Sequence, residues 1–302
     1  MNDEVIAKIW RRRIEWSRAA DKLKAGVVYG RFAALVLNVV GAVAATLSAT
    51  LPSDMSQTRA NCALLSAIAL AVATYVKAHM VSVDAIRTWT RARSVSEGLK
   101  TEVYMFCARA RPYDGNDPVT VLNERTHAVQ KPAEDLEQHL SNVTVTISNP
   151  PTMMNEDEYI EKRVKQQIND FYLSKPRLYA KRLTTFRRAE LAIGLIGTVL
   201  SATVAFLSQN ESARTATPSG LAAWVAVVTT ISAALSAHVA ADRYDFLVMS
   251  YNGTARRLEE LIDQWHAPPM NKPPSWSIFV KSCEDAISVE NESWLAKWMK
   301  KP

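Results

Sequence analysis

The residues with most chemistry to offer are five histidines (His79, His127, His139, His238, His266), three cysteines (Cys62, Cys107, Cys283) and a few carboxylates set among basic and aromatic side chains. The cysteines lie 45 and 176 residues apart, which suits neither a disulfide framework nor a zinc knuckle. The histidines show no metal-ligand spacing, and the chain contains no G-x-G-x-x-G, Walker A, H-E-x-x-H or C-x-x-C run. The expectation is a protein that is not an enzyme and takes no cofactor or metal. His79 and His238 each stand at one end of an apolar run; they read either as a pH-responsive collar or as interfacial polar residues.

Two groups of polar residues remain. Asn38, Thr46, Ser48, Ser66, Thr198, Ser201, Thr229 and Ser232 sit inside uncharged runs. They line a water-filled path or pack helices together, and small residues repeating at i, i+4 (Gly41, Ala45, Ala49; Gly197, Ser201, Ala205) fit the second role. Trp89, Arg93 and Glu97 belong to WTRARSVSEGLKTEVYMFCARARPY at 89–113, where Glu97 and Glu102 are placed to pair with Arg93 and Lys100 on a helix.

The elements that must position these residues announce themselves by length. The chain has 302 residues, a net charge of +6 and 48% hydrophobic residues, too many for a disordered chain. The apolar residues concentrate in four uncharged blocks: 32–51, 60–76, 191–207 and 220–241. Each falls in the range of about 17–25 residues that a helix needs to cross the hydrocarbon of a bilayer. Short polar loops, 52–59 and 208–219, join them in pairs, so the chain reads as two transmembrane hairpins. Buried helices of a soluble bundle are the competing reading; the pairing and the charge pattern favour the membrane. The first thirty residues are charged and do not resemble a signal peptide.

Charge predicts orientation. The outer flanks hold Arg18, Lys22, Lys24, Arg31, Arg87, Arg91, Arg93, Lys175, Arg177, Lys181, Arg182, Arg187, Arg188, Arg243, Arg256 and Arg257, whereas the two hairpin loops hold only Arg59 and Arg214. The positive-inside rule then puts both termini and the middle segment in the cytoplasm, with the lipid bilayer as first partner. Basic residues beside an anionic leaflet account for the net charge without nucleic acid.

The organisation follows as an all-α membrane protein in three parts. Residues 1–115 form one hairpin unit, 116–155 a linker with a short helix within 117–140 and an extended or strand-like VTVTI at 143–147, and 156–302 a second hairpin unit. Residues 3–31 lead into the first span, and a helix over about 60–111 runs on from the second for about 75 Å, with Pro112 as its breaker. The fourth span likewise continues to Trp265. Pro176 kinks or interrupts the lead-in helix of the third span. A last helix covers 276–300. The two halves share this plan and read as an internal repeat.

These residues resemble a known family. The run at 89–106 followed by Arg111-Pro112-Tyr113, YIEKRVKQQINDFY at 159–172, and FVKSCEDAISVENESW at 279–294 with Glu284, Glu290 and Trp294, are similar in order to SLATT domains, two-transmembrane effector domains associated with SMODS nucleotide synthases and SLOG sensors. The resemblance covers nearly the whole chain as tandem units. It implies a bacterial inner-membrane effector that forms a gated homo-oligomeric pore in defence against phage, triggered by a separately encoded sensor or nucleotide second messenger. Trp89, Arg93, Glu97, Glu284, Glu290 and Trp294 would couple the trigger to the spans. A non-conducting scaffold that recruits a soluble partner fits the same layout.

Overall fold

The computed structural model describes residues 2–141, 143, 148–209, 218–267 and 275–299, and for 2, 208–209, 218–219 and 289–299 the backbone alone. Helices account for nearly all of it, and no strand occurs among the described residues. Helix α1 (Asn2–Thr50) runs 49 residues without a break, because nothing in it is Pro and Pro52 closes it. A 3₁₀ turn at Ser53–Met55 leads into α2 (Ser56–Met80) and then α3 (Val83–Cys107). Helix α4 (Pro118–Gln130) starts on Asp117, whose side chain accepts from the Thr120 amide, with proline at the first turn where its missing N–H costs nothing. A 3₁₀ stretch, Lys131–His139, follows it.

Helix α5 (Glu156–Tyr159) opens with a capping box between Asn155 and Glu158. It continues as π-helix over Ile160–Lys165 and again over Ile168–Tyr172. After a turn at Leu173 come α6 (Ser174–Gln209), α7 (Pro218–Asp242), α8 (Tyr244–His266) and α9 (Trp276–Met299).

Three expectations need correction. The helix expected over 60–111 is two helices, divided by a bend at Val81-Ser82. It also ends at Cys107 rather than at Pro112: Arg109 adopts a left-handed conformation (φ 51°), and the Ala110 amide bonds back to the Met105 carbonyl at 3.1 Å. The fourth span does not continue unbroken to Trp265, since Arg243 is left-handed (φ 49°) between α7 and α8. The interruption near Pro176 falls at Leu173, which leaves the proline in the first turn of α6. Of the strand-like 143–147, all but Val143 lies outside the described residues, and Val143 is in no strand.

The chain divides into two compact units that both draw on both halves of the sequence. The described residues within 1–25, 83–178 and 246–302 form one, here the polar unit; 26–82 and 179–245 form the other, the span unit. The polar unit has a conventional core, with Trp16, Leu99, Leu122, Tyr159, Tyr172, Leu258 and Phe279 fully buried. The first hairpin of the span unit buries mainly small residues, Ala34, Gly41, Ala44, Ala69 and Ala73, while the second buries Leu183, Val227 and Leu235. Many of the unit's large apolar side chains face outward, among them Phe32, Leu64, Leu191, Val199 and Phe206, each 58–67% exposed.

Candidate functional site

Two arrangements of polar side chains stand out, one in each unit. In the span unit, one hydroxyl of the first hairpin joins its two helices. Ser66 is buried and its hydroxyl donates to the Gly41 carbonyl across α1 and α2 at 2.8 Å. The glycine is needed there: a Cβ at Gly41 would fall 2.8 Å from the Leu70 side chain. Thr46 is buried, and its carbonyl accepts from the Thr50 hydroxyl. The Ser48 carbonyl accepts from Arg59 Nε at 3.0 Å, which ties the loop end of α2 to α1. Asn38 spends its amide on the Ala34 carbonyl one turn back, at 2.6 Å.

The second hairpin differs. Thr198 and Thr229 are exposed, and each donates to a carbonyl of its own helix, Gly194 for the first and Val225 or Ala226 for the second. Ser201 is exposed and Ser232 half-buried. Residues 190, 194, 198 and 201 share one face of α6 by the 3.6-residue period, as do 229, 232 and 236 on α7. The two faces meet, because the Ser236 hydroxyl donates to Glu190 Oε1 at 2.6 Å, and Gly197 approaches Val228 further along, where a Cβ would come within 3.2 Å. A polar seam therefore runs along this hairpin, from Glu190 and Ser236 past Ser232 to Thr198, Thr229 and Ser201. Sequence reading passed over Glu190 because it stands one residue before the apolar block.

In the polar unit, Glu284 of α9 is buried to 1% exposure, and Arg163 of the first π-helical stretch to 2%. The guanidinium grips the carboxylate with two parallel bonds, Nε to Oε1 at 2.8 Å and Nη2 to Oε2 at 2.7 Å. Tyr159 donates to Oε1 at 2.9 Å and Thr101 to Oε2 at 3.1 Å, so both carboxylate oxygens are doubly bonded to donors. The Tyr104 ring lies 4.3 Å from the Arg163 guanidinium carbon. Burial works against the Arg163 charge, but Glu284 outweighs it and raises its pKa. Burial and the same carboxylate push the Tyr159 hydroxyl well up.

Around this pair stand Arg93, Glu97 and Lys100 of α3, Arg13 of α1 and Gln167. Arg93 Nη2 binds Glu97 Oε1 at 2.6 Å, the pairing expected from their spacing. Burial pushes the Glu97 carboxyl up, yet Arg93, Lys100, Arg13 and Arg163 together hold it below its usual range. Lys100 donates to Gln167 Oε1 at 3.3 Å. Burial, with Arg163 next, brings its pKa down to about 7. Glu102 does not pair with Arg93 or Lys100 as expected; it turns to the other face of α3, accepting from the Tyr113 hydroxyl and from Arg125 Nε. Trp89 is buried beneath Lys24, whose Nζ sits 5.4 Å from the ring centroid. The side chains of Glu290 and Trp294 lie outside the described residues.

Thus Arg93, Glu97 and Glu284 converge in one cluster. Sequence reasoning missed Arg163, Arg13 and Tyr159 as members. A signal was present: Arg163 falls on the stripe of Tyr159, Ile160, Val164 and Ile168, where a charge has to be paired.

Four helical stretches are long and apolar enough to cross a bilayer, and with the fold they define an all-α membrane protein built of two hairpins. Residues 159–294 match the model of the SMODS and SLOG-associating 2TM effector domain 1, so the second half of the chain is similar to a SLATT domain. Residues 14–120 match a family described as a protein of unknown function, DUF4231; one match in each half is consistent with tandem hairpin domains. No curated protein and no solved structure matches the chain.

Proposed function

We propose that this protein is a bacterial inner-membrane effector, with both termini in the cytoplasm, that assembles into a gated multimeric pore and permeabilises the membrane during defence. The observation behind this reading is the polar seam of the second hairpin. In one copy it is exposed among side chains suited to lipid. An acid with five hydroxyls is a poor lipid-facing surface, whereas copies that turn these seams toward one another give a water path lined by Glu190, Thr198, Ser201, Thr229, Ser232 and Ser236. The first hairpin, where the Ser66 hydroxyl bonds across the two helices, supplies the wall. A separately encoded sensor or messenger system releases the gate.

The test is membrane potential in cells that express the chain with and without its genomic neighbours, before and after phage challenge. The expected result is depolarisation only when a neighbour or phage is present, reduced severalfold by combining Glu190→Gln, Thr198→Val and Thr229→Val at equal protein level. A potential that never changes would overturn the pore and leave the scaffold reading, in which the polar unit holds a soluble partner.

A further inference from the structure

The cluster in the polar unit holds more positive than negative groups. Arg13, Arg93, Lys100 and Arg163 face Glu97 and Glu284, and each acid is already engaged, Glu284 by Arg163 and Glu97 by Arg93. Two cations remain for which the cluster supplies no carboxylate. Acceptors are short as well. Gln167 Oε1 serves both Lys100, at 3.3 Å, and Arg163 Nη1, at 3.4 Å, and both bonds are long. Among the described residues this is the only hydrogen bond of the Lys100 ammonium, which has three protons to give. Arg13 Nε is buried without an acceptor, and its guanidinium lies 4.8 Å over the Trp10 ring.

The cluster is layered. Arg163, Glu284 and Tyr159 are fully buried, whereas Arg13, Arg93, Lys100, Tyr104 and Gln167 are half-buried. Arg163 is carried on π-helical turns, a rare geometry that recurs at functional sites because the extra residue re-aims side chains. A fold that needed only a buried ion pair would stop at Arg163 and Glu284. Two further cations brought together with spare donors describe a receptor lacking its anion.

We propose that the basic cluster around Arg163 and Glu284 is a binding site for a multiply charged phosphate-bearing anion, with Lys100 and Arg13 as its direct ligands. Arg93 stands at the rim. Phosphate chemistry fits because the deficit is two charges, and because a guanidinium fork and an ammonium point charge together suit a phosphoryl group. Arg163 is a positioning residue: Glu284 occupies its fork and fixes its charge under the ligand. Binding would raise the pKa of Lys100 and so draw in a proton near pH 7. The groups that face this lysine are Arg163, Glu97, Arg13 and Glu284. The site does not depend on whether the spans conduct.

The experiment is calorimetric titration of the full chain, in a phosphate-free detergent at pH 7, with inorganic pyrophosphate, in two buffers of different ionisation enthalpy. Saturable binding with uptake of a fraction of a proton is expected. Lys100→Met and Arg13→Gln should each weaken it at least tenfold. Lys100→Arg should keep binding but lose the proton uptake, since arginine stays charged. Neither Lys100 substitution strands an acid, because Glu97 retains Arg93, and a helical circular-dichroism spectrum confirms the fold. Phosphatidic acid in mixed micelles separates the two sources of phosphate: competition with pyrophosphate assigns a lipid headgroup, and its absence a free anion. Failure of both probes to bind, or binding indifferent to Lys100→Met and Arg13→Gln, would overturn the proposal.

Discussion

The polar unit and the span unit are built from the same secondary structure and distribute their side chains in opposite ways. In the polar unit aromatic and aliphatic bulk goes inside, where Trp16, Tyr159 and Phe279 lose nearly all exposure. In the first hairpin of the span unit most of the bulk goes outside and alanine, glycine and serine go inside. Water drives the first arrangement, because apolar area removed from it is worth about 25 cal/mol per Å². It cannot drive the second; helices in lipid associate by close backbone approach and interhelical hydrogen bonds, as at Gly41, Leu70 and Ser66. Both units hold an ion pair away from water, Arg163–Glu284 in the polar unit and Arg31–Asp242 in the span unit, but they use hydroxyls differently. The polar unit buries the Arg163–Glu284 pair with every carboxylate lone pair used, whereas the threonines of the second hairpin return their hydroxyls to their own helices.

The largest break in this comparison comes from the polar unit. Glu284→Gln leaves Arg163 buried without its counter-charge and should cost about 3–5 kcal/mol, read as a lower thermal midpoint by tryptophan fluorescence in detergent. In the span unit Gly41→Val forces Leu70 aside and should cost about 1–3 kcal/mol; the readout is loss of the folded fraction in a steric-trap or denaturant titration. Ser66→Ala removes one interhelical bond while keeping the volume, and about 1 kcal/mol is expected in the same assay.

A pH series sharpens the contrast. Lys100 binds its proton less tightly folded, at about 7, than unfolded, near 10.5. The unfolded state therefore carries more protons between those values, and stability should rise as pH increases from 6 to 9. Lys100→Met should flatten that rise. The smallest effect belongs to the second hairpin. Thr198→Val deletes a hydroxyl bonded only within its own helix and should stay within about 0.5 kcal/mol, while a change in ion flux from the same substitution would separate its role in the pore from packing.

Much of the span unit was legible in the sequence because bilayer thickness sets helix length directly, and four uncharged blocks met that length. The helix breaks were not. Val81-Ser82 and Arg243 carry no glycine or proline; α7 ends on a left-handed arginine that no local propensity announces. The pairing of Glu97 with Arg93 was legible from a four-residue spacing. The pairing of Arg163 with Glu284 was not, since 121 residues separate them and only packing brings α9 to the π-helical stretch. Glu102 shows the limit of spacing arguments: the same helix offered it basic neighbours, and tertiary structure gave it Arg125 and Tyr113.

The claim that the two units face different solvents can be tested directly with single cysteines. On a Cys62→Ser background, since Cys62 is the half-buried thiol while Cys107 and Cys283 are buried, Asp54→Cys places a thiol in the exposed turn between α1 and α2, and Glu124→Cys places one on the exposed face of α4. Intact spheroplasts are treated with a membrane-impermeant maleimide. The account predicts that residue 54 labels at once and residue 124 only after the membrane is opened. Labelling of neither until lysis, with release of the chain by carbonate washing, would contradict it.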